Sequence, residues 1–370
     1  MPPVNILIKP ASSLCNMRCK YCFYADVSDN RAVKSYGMMN EETLENLVKR
    51  VFEYATGYAV FSFQGGEPTM VGIDFYKCLL ALQSKYNTKR INVSNSIQTN
   101  GYIIDAEWAE FLAKNKFLVG LSMDGTRDIH NSLRIDASGK GTYGKAELAA
   151  QLFCKYGVEF NILCVVNNFV ARHPKKVYDT LKGYKYIQFI PCLDDFDGEK
   201  TEYSLTNDKY AKFLTTVFEE YYNDFISGNY VSVRNFDNYI SILLGSAPEN
   251  CAMRGMCTCY FVVEGDGSVF PCDFYVLDEW YLGNLNNDSF DSMIKSQRAL
   301  DFVNGSLGKP DECRECKFFR LCRGGCRRER EPFVDGSLSQ NRLCEAYKAF
   351  FSASYGKMID IAKRLMREEI

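Results

Sequence analysis

Three thiols fall within the run Cys15-Asn16-Met17-Arg18-Cys19-Lys20-Tyr21-Cys22, just beyond an apolar segment at Val4–Ile8. Intervals of three and then two residues let a tight loop aim three thiolates at one small inorganic centre. Four cysteines would close a [4Fe-4S] cube, whereas three leave one iron open to a small molecule. The same spacing also suits a structural zinc knuckle whose fourth ligand lies elsewhere.

Cysteine use across the chain favours the first reading without settling it. There are 16 cysteines among 370 residues but only two histidines, His130 and His173. The N-terminus has no basic segment followed by a long apolar run, so no secretory signal is expected. In such a chain disulfides are disfavoured, and metal or redox use is favoured. So few histidines argue against a Cys/His zinc array and a histidine-based metallohydrolase. A net charge of −2 gives no field for a polyanion, which excludes nucleic acid as an expected partner. No stretch approaches the roughly 18 apolar residues of a membrane span. The expected location is the cytoplasm.

Up to about residue 191, short β-like runs alternate with helical patterns. Strands are predicted at Val4–Ile8, 58–64, 91–98, 117–123, 158–166 and 186–190. Helices are predicted at about 40–51, at Ile73–Tyr86 and at 105–114, 145–156 and 173–181. Asn40 is the expected cap of the first, whose apolar side is Leu44, Leu47, Val48 and Val51. This alternation predicts parallel βα units, an α/β fold forming an open or partial (β/α)6 barrel. Its chemistry belongs on the loops after the strands' C-terminal ends. An irregular acidic connector, 194–204, leads to helices at 207–227 and 234–244. Beyond Cys251 the alternation stops. Runs 261–264 and 268–271 flank Gly265-Asp266-Gly267, a hairpin signal. One helix is expected at 289–304 and a long closing helix at 345–367.

The polar motifs cluster at predicted strand ends. They are Gln64-Gly65-Gly66-Glu67-Pro68-Thr69, Gln98-Thr99-Asn100-Gly101 and Ser122-Met123-Asp124-Gly125, with Arg134 following. A double glycine after a strand is on its own a tight turn. The later cysteines run Cys251, Cys257, Cys272, Cys313-x2-Cys316-x5-Cys322-x3-Cys326 and Cys344. Eight thiols suffice for two fully ligated [4Fe-4S] clusters, or for two structural zinc sites. Asp273, directly after Cys272, is a candidate proton acceptor; a turn or cap role competes. Cys78, Cys154 and Cys164 are expected to pack internally, and Cys192 and Cys259 carry no assigned role. His130 and His173 read as surface or packing residues. Arg327-Arg328-Glu329-Arg330 reads as a solvated face, with a role toward an anionic cluster or partner as the alternative.

Taken together, Cys15-Asn16-x2-Cys19-x-Tyr21-Cys22-Phe23-Tyr24, Phe63-Gln64-Gly65-Gly66-Glu67-Pro68-Thr69 and the Gln98 and Ser122 motifs resemble the anaerobic sulfatase-maturating enzymes. So do Cys257-Thr258-Cys259, Pro271-Cys272-Asp273-Phe274-Tyr275 and Leu321-Cys322-x-Gly324-Gly325-Cys326. These are radical S-adenosylmethionine (SAM) enzymes with a SPASM domain, and the similarity runs nearly end to end. The resemblance implies a radical SAM barrel over 1–230, an auxiliary-cluster SPASM domain over 231–350 with its β-hairpin, and a C-terminal helix, 351–370, packing back on the barrel. It implies three [4Fe-4S] clusters and SAM. Cys15, Cys19 and Cys22 would hold the cluster that cleaves SAM. Cys251, Cys257, Cys272 and Cys326 would hold the first auxiliary cluster, and Cys313, Cys316, Cys322 and Cys344 the second.

By the same resemblance Tyr21 and Leu193 would contact the adenine of SAM, Gly66 its amino group, and Ser122 and Arg134 its ribose and carboxylate. The implied reaction oxidises a cysteine, or a serine, of an unfolded or nascent sulfatase polypeptide to Cα-formylglycine, with 5′-deoxyadenosine and methionine released. Asp273 would take the thiol or hydroxyl proton, and Tyr24, Gln64 and Gln98 would contact the substrate residue. A flavodoxin or ferredoxin would supply electrons to a monomeric enzyme. Two alternatives compete. One is a SPASM maturase forming thioether or carbon–carbon crosslinks in a small peptide; the other is a non-enzymatic iron–sulfur electron carrier.

Overall fold

All six strands expected of the βα alternation form, within about two residues of their predicted ends. The computed structural model describes residues 3–331, 333–334 and 337–368. Its main strands are β1 (Val4–Ile8), β2 (Tyr58–Phe63), β3 (Asn92–Thr99), β4 (Leu118–Ser122), β5 (Phe160–Val166), β6 (Tyr186–Pro191), β7 (Ser232–Val233), β8 (Val262–Val263), β9 (Ser268–Phe270) and β10 (Gly283–Asn284). Contacts divide the chain into two compact units. The first comprises residues 1–122, 131–160 and 258–302; the second comprises 123–130, 161–257 and 303–370.

In the first unit β1 to β4 are hydrogen-bonded in sequence order and parallel, with Ile8 opposite Phe63 and Gln98 opposite Gly120. The helix Glu41–Tyr54 starts where expected because the Asn40 side chain accepts from the Thr43 amide, a cap worth about 1 kcal/mol. Leu44, Leu47, Val48 and Val51 are fully buried beneath it. Phe63, Tyr76, Trp108 and Phe117 meet edge to face, with Tyr76 at their centre. That geometry suits the ring quadrupoles. The Gly265-Asp266-Gly267 hairpin forms between β8 and β9. β8 then pairs in parallel with the outer side of β1, so the cysteine-rich half adds strands to the sheet begun at the N-terminus.

The second unit carries β5, β6 and β7, parallel and in that order. The closing helix, Cys344–Glu368, packs along Asn207–Ile226. Phe218, Phe236 and Phe350 fill the space between these helices and Arg234–Leu243. No helix among the described residues is long and apolar enough to cross a membrane.

Four expectations are corrected. The helix expected at 289–304 is two, Phe290–Ile294 and Gln297–Asn304, because the Ser296 hydroxyl accepts from the Ala299 amide and starts the second. Cys78 is half-buried and Cys154 exposed, so neither packs internally as predicted; Cys164 does. Arg327 to Arg330 are all buried, not a solvated face. Five short helices among the described residues had no predicted counterpart: Phe23–Asp29, Arg127–Leu133, Asn168–Ala171, Asp311–Arg314 and Phe319–Cys322.

Candidate active site

The three-cysteine loop follows β1 and is held by backbone bonds to a segment after β4. Arg18 N–H donates to Ile135 O at 2.7 Å, and Lys20 N–H to Leu133 O at 3.0 Å. These bonds set Tyr21 beside Arg134, whose guanidinium donates to the phenol oxygen at 2.9 Å. Two residues assigned to SAM from the sequence are thus in contact. Asn100, at the end of β3, donates to the Asn16 side chain at 2.8 Å and approaches Cys15 Sγ at 3.7 Å. Burial pushes the Cys15 thiol up to about 12, despite an amide bond from Met17. A thiol this reluctant to ionise becomes a thiolate when iron supplies positive charge. Ser122 is buried at the tip of β4, and Gln98 is half-buried near the tip of β3.

At the end of β2 the double glycine is demanded by the chain itself. Gly66 sits at φ +52°, and a Cβ there would lie 2.2 Å from Leu14 O, on the approach to the cysteine loop. The next residue carries a role the sequence reading did not assign. The Glu67 carboxylate, 1% exposed, accepts from the Thr69 amide and hydroxyl, the Thr99 hydroxyl at 2.7 Å and the Asn100 amide at 2.7 Å. It therefore straps the end of β2 to the end of β3 directly under the loop. Burial raises its pKa, and these bonds oppose that rise. The signal available was a lone carboxylate between a glycine pair and a proline.

Asp273 opens a short 3-10 turn after Cys272 and is 3% exposed. Its Oδ2 accepts from Tyr24 Oη and from Gln64 Nε2, each at 2.7 Å. Two of the three proposed substrate contacts are therefore gathered on this carboxylate; Gln98 is not among its partners. Oδ1 is buried and has no partner among the described residues. Burial raises the pKa of Asp273, with Lys9, Tyr24 and Gln64 working against the rise. Lys9 and Arg31 both reach Glu264 Oε1, at 3.0 and 2.9 Å, in a fully buried cluster. Burial would lift Glu264, but the two cations outweigh it and hold the carboxyl low. With Asp273 ionised, two buried anions balance two buried cations.

The unpredicted helix Phe23–Asp29 brings these groups to the cysteine loop. Cys22 is its N-cap residue, Tyr24 lies in its first turn, and it packs on the Asp273 turn. Phe23 meets Phe274 edge to face at 5.1 Å. Tyr260 extends the arrangement: its hydroxyl lies 3.5 Å from Cys272 Sγ and accepts from the Asp273 amide at 3.2 Å. A carboxylate with one free oxygen thus stands between a loop built for an open-iron cluster and a further cysteine.

In the second unit Cys313, Cys316, Cys322 and Cys344 all line one small cavity, walled also by Phe318 and Phe351. Among the described residues no three His, Cys, Asp or Glu side chains are grouped to hold a single metal ion. Four thiols around one space are the donor set of a fully ligated [4Fe-4S] cluster. Cys251, Cys257 and Cys326 also belong to this unit, whereas Cys272 belongs to the first. Leu193 follows β6 in a backbone stretch held from both sides. Arg342 donates to Cys192 O and to Asp194 Oδ2, and Arg328 to Asp194 O at 2.8 Å while covering the Phe196 ring. That is one reason the predicted solvated face is buried: Arg328 serves the acidic connector, while Arg327 pairs with Glu331 at 3.0 Å. His130 is buried and accepts the Asp124 amide at Nδ1, while His173 is exposed.

Residues 10–181 match the radical SAM superfamily, and residues 251–317 match the SPASM iron–sulfur cluster-binding domain. The cysteine-type anaerobic sulfatase-maturating enzyme of Clostridium perfringens is 50% identical over 99% of this chain and 100% of its own length. The serine-type enzyme of Bacteroides thetaiotaomicron is 30% identical, over 99% of this chain and 93% of its own. A solved structure described as native anSMEcpe with bound AdoMet and Cp18Cys peptide superposes with a TM-score of 0.94 at 49% identity. That match covers 98% of this chain and 100% of the other.

Proposed function

Because the chain belongs to the anaerobic sulfatase-maturating enzymes of the radical SAM superfamily, we propose that it oxidises one cysteine of a sulfatase polypeptide to Cα-formylglycine. The greater identity to the cysteine-type relatives supports cysteine as the residue accepted. The observation that carries the reading is the buried Asp273 carboxylate, oriented through Oδ2 and free at Oδ1.

With SAM and three [4Fe-4S] clusters bound, the cofactors supply reductive cleavage of SAM, hydrogen abstraction and an exit for the substrate's second electron. Cys15, Cys19 and Cys22 would hold the cluster that meets SAM, and the eight later cysteines two more. Tyr21, Gly66, Ser122, Arg134 and Leu193 would hold SAM. The rest falls to the protein's own side chains. Tyr24 and Gln64 fix the carboxylate so that Oδ1 faces the incoming thiol, whose proton it takes as the carbon is oxidised. Its burial raises the basicity of the carboxylate toward that of a useful acceptor. Tyr24, Gln64 and Gln98 would line the substrate residue. A flavodoxin or ferredoxin-type donor, a monomeric state and a cytoplasmic location complete the proposal.

The test is anaerobic reconstitution with SAM, a reductant and a sulfatase-motif peptide containing cysteine. An aldehyde-bearing product is expected by mass spectrometry. A thioether or carbon–carbon crosslink in its place would overturn the maturase reading. Failure to cleave SAM at all would reduce the protein to an electron carrier.

A further inference from the structure

Arg330 has the largest side chain among the fully buried residues, at 1% exposure. Among the described residues its guanidinium donates only to backbone carbonyls: Nε to Ser339 O at 3.3 Å, Nη1 to Ser306 O at 3.4 Å, and Nη2 to Gly308 O. Lys309 turns its ammonium onto the same loop, reaching Ser306 O at 3.0 Å and Leu307 O at 3.3 Å. Neither cation has a carboxylate partner among the described residues. Carbonyl dipoles satisfy the hydrogen bonds, but no described side chain compensates the charge, and a buried charge without a counter-ion is strongly disfavoured.

The surroundings indicate which anion is missing. Arg330 and Lys309 flank Gly324, where an added Cβ would sit 3.1 Å from Lys309 Cδ and 3.7 Å from the guanidinium carbon. Gly324 lies between Cys322 and Cys326. The Ser306 hydroxyl, on the same loop, accepts from the Cys257 amide at 2.8 Å. The thiols of Cys257, Cys313, Cys322 and Cys326 all lie within electrostatic reach of Arg330. Cys313 and Cys322 line the cavity described above, while Cys257 and Cys326 belong to the other proposed ligand set.

We propose that Arg330, assisted by Lys309, is the buried counter-cation shared by the two auxiliary iron–sulfur clusters, and that it raises their reduction potentials. This rests on the reading that the eight later cysteines hold two such clusters. Each cluster becomes more negative by one charge on reduction, so a fixed cation nearby favours the reduced form. An auxiliary centre that must accept an electron from substrate benefits from that bias.

The experiment is a redox titration, followed by electron paramagnetic resonance, of reconstituted protein whose iron and sulfide content is measured first. Arg330→Met is expected to shift at least one auxiliary midpoint to more negative potential. Lys309→Met should give a smaller shift of the same sign, and Arg330→Lys should stay near the parent. Loss of auxiliary iron from Arg330→Met but not from Arg330→Lys would equally support the counter-cation. Unshifted midpoints in fully loaded Arg330→Met, or loss of iron from both Arg330 variants, would overturn it. If Arg330→Met retains too little iron to titrate, an unshifted midpoint in loaded Lys309→Met also overturns it. A parent protein holding iron for one cluster only would sink the two-cluster reading itself.

Discussion

Asp273 concentrates most of the residue-level chemistry. Replacing it with Asn keeps the shape and the Gln64 neighbour but removes the acceptor, so turnover should fall about 10²–10⁴-fold. Iron content should be unchanged, and formylglycine yield by mass spectrometry measures the loss. Tyr24→Phe should cost less, because Gln64 still holds Oδ2 at 2.7 Å. Gly66→Ala belongs to another class: its Cβ has nowhere to go against Leu14 O, and its positive φ adds strain of about 1–3 kcal/mol. It should lower the melting temperature and strip iron from the first cluster. Asp273 could be singled out in the sequence because it adjoins a cysteine ligand. Glu67 could not be given a role, since Thr99 and Asn100, the donors that make it a strap, lie over thirty residues on. Arg330 was misread because consecutive charges usually face water, and the anions that justify its burial are not side-chain carboxylates.

Among the elements, the βα repeats were legible because each alternates a short apolar run with an amphipathic helix. The helix Phe23–Asp29 was not, because seven residues give too little periodicity and its start is a cysteine rather than a conventional cap. Yet this helix carries Tyr24 to Asp273. Phe274→Ala should loosen its seating, and a displacement of about 1 Å at the carboxylate can cost up to about 10²-fold in turnover. Kinetics with SAM cleavage and peptide oxidation followed separately would register this as cleavage that outruns product. Glu67→Gln tests the strap between β2 and β3. It removes the charge and turns an NH2 donor toward hydroxyl and amide donors, which should destabilise the protein by about 1–3 kcal/mol. Thermal unfolding of the loaded enzyme reads that change.

For the whole molecule, the cluster that meets SAM should be separable from the other two. Its three thiols lie in one loop of the first unit, and the later cysteines are not needed to shape that loop. A Cys15→Ala, Cys19→Ala, Cys22→Ala protein should lose roughly a third of its iron and all SAM cleavage. The absorption of the remaining clusters should persist. Collapse of the entire iron signal would mean that the clusters assemble only together.

What the sequence determined by itself was the chemistry available and the order in which the chain supplies it. Cysteine spacing, glycines at a strand end and strand–helix alternation are local properties, set by the reach of a loop and the period of an element. Tertiary structure decided which groups share an environment. It placed Tyr24 and Gln64 on Asp273 across more than two hundred residues. It buried Lys9 and Arg31 together with Glu264 and Asp273, and enclosed Arg330 without a carboxylate partner among the described residues. Burial and charge compensation depend on packing between distant segments, and no spacing within a single segment encodes them.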